Sequence, residues 1–330
     1  MAKMRAVTIR EPGGPEVLET KKLKVRDPGR GEIRVRVHAA GVNRADLLQR
    51  RGLYPPPPGW PAEIPGLEYA GEVEAVGEAV ELWGTGDRVM GLVGGGGYAE
   101  YVVVQEREAL AIPPLLSFEE AAAVPEVFIT AHDALFTQMR LEPGERLLIH
   151  AVGSGVGTAA LQLAKAAGAT VIGTSRAAWK LGRATDYGLD VLINTAEQDF
   201  PEMVMQATSG RGVHVLLDLV GGPYLAGNVE SLTEKGRMIV VGLTGGRVAE
   251  IDLGTVLRKR LRIIGTSLRF RPLEEKIEAV RAFERDGWSL LASGQVRPVL
   301  DRVFEFEEAA EAHRYMEADE NFGKLVIKVR

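Results

Sequence analysis

The chain has 330 residues, 45% of them hydrophobic and 26% charged, with a formal net charge of -5 and no cysteine. That length exceeds one typical domain and the composition is that of an ordinary globular protein, so two domains are expected. The mild charge argues against a large electrostatic footprint on nucleic acid or an anionic membrane. The missing cysteines exclude disulfides and any thiolate metal site.

The N-terminal MAKMRAVTIR lacks the apolar run of a secretory signal, and no window approaches the roughly 20 apolar residues that span a bilayer. A cytoplasmic protein with no membrane partner is expected. The first 125 residues read as β-rich. Residues 34–38 alternate polar and apolar like a half-buried strand, and 69–76 and 97–104 do the same. Glycines and the prolines 55–58 mark turns and an irregular loop. Ser117-Phe-Glu-Glu fits a capping box that opens a helix.

From 126 to 269 the rhythm changes. Apolar runs at 146–150, 170–174, 190–194, 213–218 and 237–242 alternate with helical segments. Between the first two, Val156, Ala159, Ala160, Leu163, Ala164 and Ala167 recur at helical spacing, and Gly168 ends the run. Such a series predicts an α/β fold with a doubly wound parallel sheet. The tail, 270–330, holds one long helical pattern over 273–293, a strand at 299–306, a short helix and a strand at 324–328. It resumes the style of the first part, so the middle domain is inserted between two halves of the other.

The segment Gly153, Ser154, Gly155, Val156, Gly157 lies between a strand and a helix. Unpaired N–H groups at a helix N-terminus favour a pyrophosphate, and glycines let it approach. Thr158 occupies the last position of the GxGxxG frame, so the strand–turn–helix context carries the dinucleotide assignment more than the motif itself. The second strand usually ends in a carboxylate that takes the ribose hydroxyls of NAD. Here 173–180 contains none, and Ser175, Arg176 and Lys180 offer a hydroxyl and two cations to a 2′-phosphate. NADPH is the expected cofactor.

Residues 41–54 (GVNRADLLQRRGLY), 65–68 (PGLE), 150–157 (HAVGSGVG) and 321–324 (NFGK) resemble the medium-chain dehydrogenase/reductase superfamily. Within it they are similar to the quinone oxidoreductases related to zeta-crystallin, especially the p53-inducible-protein-3-like branch. The resemblance implies a GroES-like β-rich catalytic domain carrying an inserted Rossmann domain, NADPH, and a homodimer or tetramer. It implies Asn43 and Tyr54 near the nicotinamide as catalytic groups, Thr130 against its ring, Ser154 beside the pyrophosphate, and Gly323 and Lys324 returning to the phosphates. Val220, Leu243, Thr244 and Leu268 follow strands, where ligands collect in open α/β sheets. Asn43 also suits the N-cap of a helix over 45–51.

Zinc members of the superfamily carry a ligand cysteine where Asn43 stands and a histidine where Leu67 stands. His38, His132, His150, His214 and His313 share no metal-ligand spacing, so no metal is expected. Hydride transfer alone suits quinones and related electron-poor carbonyls, with the Tyr54 hydroxyl beside the oxygen that gains charge. Two other readings remain open: an NADPH-dependent enoyl or alkenal reductase, and an RNA-binding or structural protein that binds NADPH. The apolar pair at 263–264 suits an edge strand joined to a second copy.

Overall fold

The computed structural model describes residues 3–330, which divide into two units. One takes in residues up to Ile129, then Leu268–Gly294 and Pro298–Arg330; the other is Thr130–Ser267 with Gln295–Arg297. Sequence patterning put the divides at 125 and 269.

In the first unit β1 (Lys3–Ile9) and β2 (Leu18–Lys24) form an antiparallel pair. β3 (Glu32–Val42) is the centre of a larger sheet with β4 (Glu68–Val76), β5 (Arg88–Leu92), β6 (Tyr101–Gln105) and β7 (Ala109–Ala111). Alternation explains β3. Ile33, Val35 and Val37 are fully buried, while the intervening arginines and His38 lie half-buried on the other face. A helix, Arg44–Arg50, follows β3 directly.

The second unit holds β8 (Arg146–Ile149), β9 (Thr170–Ser175), β10 (Val191–Asn194), β11 (Val213–Asp218), β12 (Leu232–Val240) and β13 (Arg262–Gly265). All are parallel, in the order β10-β9-β8-β11-β12-β13. The order reverses beside β8, which opens a crevice at the carboxyl ends of β8 and β11. Central strands of such a sheet are covered on both faces. Leu147, Leu148, Ile149, Val215, Leu216 and Leu217 are accordingly all buried.

The chain then returns to the first unit, where β15 (Lys324–Lys328) runs antiparallel to β3 and parallel to β14 (Leu300–Glu305). The helix expected over 273–293 is two helices, Leu273–Asp286 and Trp288–Ala292. The break falls at Gly287, where a Cβ would lie 2.4 Å from the ring of the buried Phe283. The capping box at Ser117 forms: Glu120 N–H donates to Ser117 Oγ at 3.1 Å, and Ser117 N–H to Glu120 Oε2 at 2.9 Å. Among the described residues no helix is long and apolar enough to cross a membrane.

Candidate active site

At the end of β8 the chain turns through Ala151, which adopts φ 51°, and enters the helix Gly155–Ala166. Ser154 is its N-cap and accepts from Gly157 N–H at 3.1 Å. Gly157 has no substitute. A Cβ there would lie 2.5 Å from Ala151 O and 2.6 Å from Val152 O, both backbone atoms that cannot yield. The helix therefore starts tight against the strand end, with its first amides directed out of the turn. This cradle fits the pyrophosphate of a dinucleotide.

Below the turn runs a fully buried chain. His150 Nδ1 lies 2.9 Å from Thr174 Oγ1, and His150 Nε2 lies 2.6 Å from Asn228 Oδ1. Asn228 Nδ2 donates to Asp218 Oδ2 at 3.0 Å, and Asp218 Oδ1 accepts from Val220 and Gly221 N–H at 2.8 and 2.9 Å. Phe200 and Tyr224 stand edge-on to the imidazole, and burial lowers its pKa. The carboxyl ends of β8, β9 and β11 are thereby tied together around a neutral histidine. The loop residues fall nearby in the chain. Val220 is half-buried, while Leu243 and Thr244 are exposed, with Thr244 Oγ1 donating to Leu219 O at 3.0 Å.

Ser175 ends β9, and its Oγ accepts from Ala177 N–H at 3.1 Å, which leaves the hydroxyl proton to donate outward. Arg176 is exposed, and Lys180 lies with Nζ 5.3 Å from the Trp179 ring. Thr130 is buried at the start of the second unit.

The first unit carries a second polar centre. Lys324 is buried, and its ammonium donates to Glu68 Oε1 at 2.6 Å, Asn43 Oδ1 at 2.7 Å and Val42 O at 2.8 Å. Asn43 Nδ2 donates to Glu68 Oε1 at 2.8 Å, and Glu126 N–H to Glu68 Oε2 at 2.8 Å. Lys324 thus directs all three ammonium protons at acceptors within this unit. Gly323, with φ 85°, is required by packing, because a Cβ would meet Val299 O at 2.2 Å.

Asn43 stands at the N-cap position, and its N–H donates to Asp46 Oδ2 at 2.8 Å. Its side-chain amide bonds to Glu68 and Lys324, which ties it into the network. Asp46 also accepts from Gly66 N–H at 2.9 Å and from Tyr98 hydroxyl at 3.2 Å. Burial pushes its pKa up to about 6. The chain of contacts continues from Tyr98 to His313 Nε2 at 3.3 Å, and from His313 Nδ1 to Arg50 Nη1 at 3.2 Å. Arg50 pairs with Glu317.

Tyr54 is fixed from two sides. Arg269 Nη1 donates to Tyr54 O at 3.0 Å, and its guanidinium stacks 4.9 Å from the ring centre. Phe270 meets the ring edge-on at 5.0 Å. Arg269 also donates to Gly94 O, through Nε at 3.0 Å and Nη2 at 2.8 Å, and to Gln49 Oε1. Leu268 is buried in this unit and lines a small cleft with Gly94, Glu126 and Arg269. Arg269, Glu126 and Asp46 were not foreseen; only Glu126 carries a signal, a charge set within the apolar run 121–129.

Residues 29–114 match the alcohol dehydrogenase GroES-like domain, and 155–285 match the family described as zinc-binding dehydrogenase. A quinone oxidoreductase of Rattus norvegicus is 32% identical over 98% of this chain and 97% of its own length. A solved NAD-dependent alcohol dehydrogenase superposes with a TM-score of 0.89 at 34% identity, covering 99% of this chain and 100% of the other. The CurK enoyl reductase gives 0.86 at 28% identity over 100% of both chains.

The second family description raises zinc, and the side chains here do not fit it. Leu67 offers no donor, and the oxygens of Asn43 and Glu68 already face the Lys324 ammonium, a cation held by the chain itself. Among the described residues no group of three or more His, Cys, Asp or Glu side chains is arranged to hold a metal ion.

Proposed function

We propose that this chain, which belongs to the quinone oxidoreductase family of the medium-chain dehydrogenase/reductase superfamily, reduces quinones with NADPH and without a metal. It is an oxidoreductase with a nicotinamide cofactor. The preference for NADPH rests on one observation: β9 ends in Ser175, Arg176 and then Lys180, with no carboxylate to meet a ribose hydroxyl or repel a 2′-phosphate. The bound cofactor supplies a hydride. The protein's part is to hold the pyrophosphate at Ser154–Gly157 and to present the Tyr54 hydroxyl to the oxygen that gains charge. The Lys324–Glu68–Asn43 network keeps the start of the helix Arg44–Arg50 fixed while this happens.

The decisive measurement is kcat/KM with NADPH and with NADH, for the wild type and for Arg176→Ala/Lys180→Ala. The double variant should lose about 1.5–3 kcal/mol of NADPH binding per charged hydrogen bond removed, and almost nothing with NADH. Equal weakening of both cofactors would remove the phosphate assignment.

The likeness to an enoyl reductase favours a second reading, reduction of an activated carbon–carbon double bond at the same site. Assays with 1,4-benzoquinone, 9,10-phenanthrenequinone and a 2-enal separate the two. A homodimer through the open edge β13, where Ile263 is 40% exposed, is part of the same proposal. A monomer at micromolar concentration in sedimentation equilibrium would dismiss it.

A further inference from the structure

Glu126 sits on the π-helical turn Pro125–Ile129 in the first unit, a kind of turn that recurs at functional sites. Only its backbone is tied down, by the bond to Glu68 Oε2. Among the described residues no hydrogen bond or ion pair reaches its carboxyl oxygens. The residue lines the cleft with Val93, Gly94, Leu268, Arg269 and Lys276. Arg269 joins this cleft to the proposed catalytic tyrosine, since one guanidinium holds both Gly94 O and Tyr54 O. Glu68 joins it to Asn43.

We infer that Glu126 is the proton donor of the reduction, delivering its carboxyl proton to the substrate oxygen that becomes anionic as hydride arrives. The inference rests on the quinone reductase reading. The balance is simple. Hydride brings two electrons and one hydrogen, and the quinone becomes a hydroquinone monoanion. The O–H bond of Glu126 breaks as an O–H bond forms on the product. The carboxylate left behind regains a proton from water at the cleft.

The surroundings keep that proton in place at neutral pH. Burial, then the charge of Glu68, raise the Glu126 pKa to about 8; Asp46 acts in the same sense, while Lys324 and Arg269 oppose it. Lys276 is the remaining charge on the cleft wall, and it pairs with Glu108 at 3.0 Å. Asp46, the other carboxyl with a raised pKa, is a poor alternative. Its two oxygens accept from Asn43, Gly66 and Tyr98, and it is fully buried. An acid poised near the working pH, with open oxygens on a cleft whose Arg269 also holds Tyr54, matches what general acid catalysis needs.

The test is the pH dependence of kcat/KM for 9,10-phenanthrenequinone at saturating NADPH, in wild type, Glu126→Gln and Glu126→Asp. In wild type the rate should fall about tenfold per pH unit above about pH 8, as the acid is lost. Glu126→Gln should fall about 10²-fold below pH 8 and lose that limb, with NADPH affinity unchanged within about twofold. Glu126→Asp should keep the limb at a displaced pH, and it carries the test alone if the glutamine variant does not fold. A glutamine variant that keeps the wild-type limb, at full or reduced rate, overturns the inference and leaves quinone reduction standing. A wild-type protein that turns over no quinone overturns both.

Discussion

Replacing Lys324 with methionine tests the buried centre of the first unit. The substitution keeps length and removes the charge, so Glu68 loses its cation in a site where its side chain is 0% exposed and that of Lys324 is 3%. Breaking a buried pair in this way costs about 3–5 kcal/mol, because the surviving charge loses its compensation. Glu68 would retain donors from Asn43 Nδ2 and Glu126 N–H, each at 2.8 Å, which places the expected loss near the low end, about 3 kcal/mol. Trp60, Trp83 and Trp288 lie in this unit and only Trp179 in the other, so tryptophan fluorescence reports chiefly on its unfolding. The loss should appear as a lower urea midpoint with an unchanged slope. Lys324→Met/Glu68→Gln, which leaves no uncompensated charge, should recover at least half of it. A single variant that costs less than about 1 kcal/mol, or a double variant no better than the single, would refute the reasoning.

Two more expectations follow from the same unit. Burial, then the charge of Arg50, push the His313 pKa down to about 3, against a value near 6.5 in the unfolded chain. Its contribution is therefore complete above about pH 6.5 and is lost as pH falls toward 3. Urea titrations should show wild type losing about 1.4 kcal/mol per pH unit relative to His313→Gln in that window, and a constant difference would count against it. Tyr54→Phe should lower kcat less than about tenfold with a quinone and more with any accepted enal, because a weaker electron acceptor asks more of the hydroxyl. If Tyr54→Phe is fully active on both while Tyr54→Ala is not, the ring is only a wall.

The second unit was the more legible in sequence, since its strands are unbroken apolar runs and its helices alternate with them. Even there β12 starts at Leu232, well before the apolar stretch at 237, because Thr233, Glu234 and Lys235 are polar and Lys235 adopts φ 57°. The first unit hid more. Nothing local distinguishes Lys324 from a surface lysine at a strand start; only the antiparallel pairing of β15 with β3 turns it toward Asn43 and Glu68. The break at Gly287 is hidden for a related reason, as the apolar pattern continues through Trp288 and Leu291 while the Phe283 ring takes the space of a side chain. Arg269 draws its partners from residues 49, 54 and 94, all far from it in sequence.

The buried chain beneath the glycine turn has a polarity. Asp218 accepts on both oxygens, so the Asn228 amide must point its NH₂ at it and its carbonyl at His150. The imidazole must then carry its proton on Nε2, and Nδ1 can only accept, which makes Thr174 the donor. Every bond runs the same way, from threonine to aspartate, like arrows nose to tail. A valine at 174 would strand the imidazole nitrogen, and an aspartate at 228 would set carboxylate against carboxylate. The four side chains form one inheritable unit, open to change only by replacements that reverse or erase the whole series together.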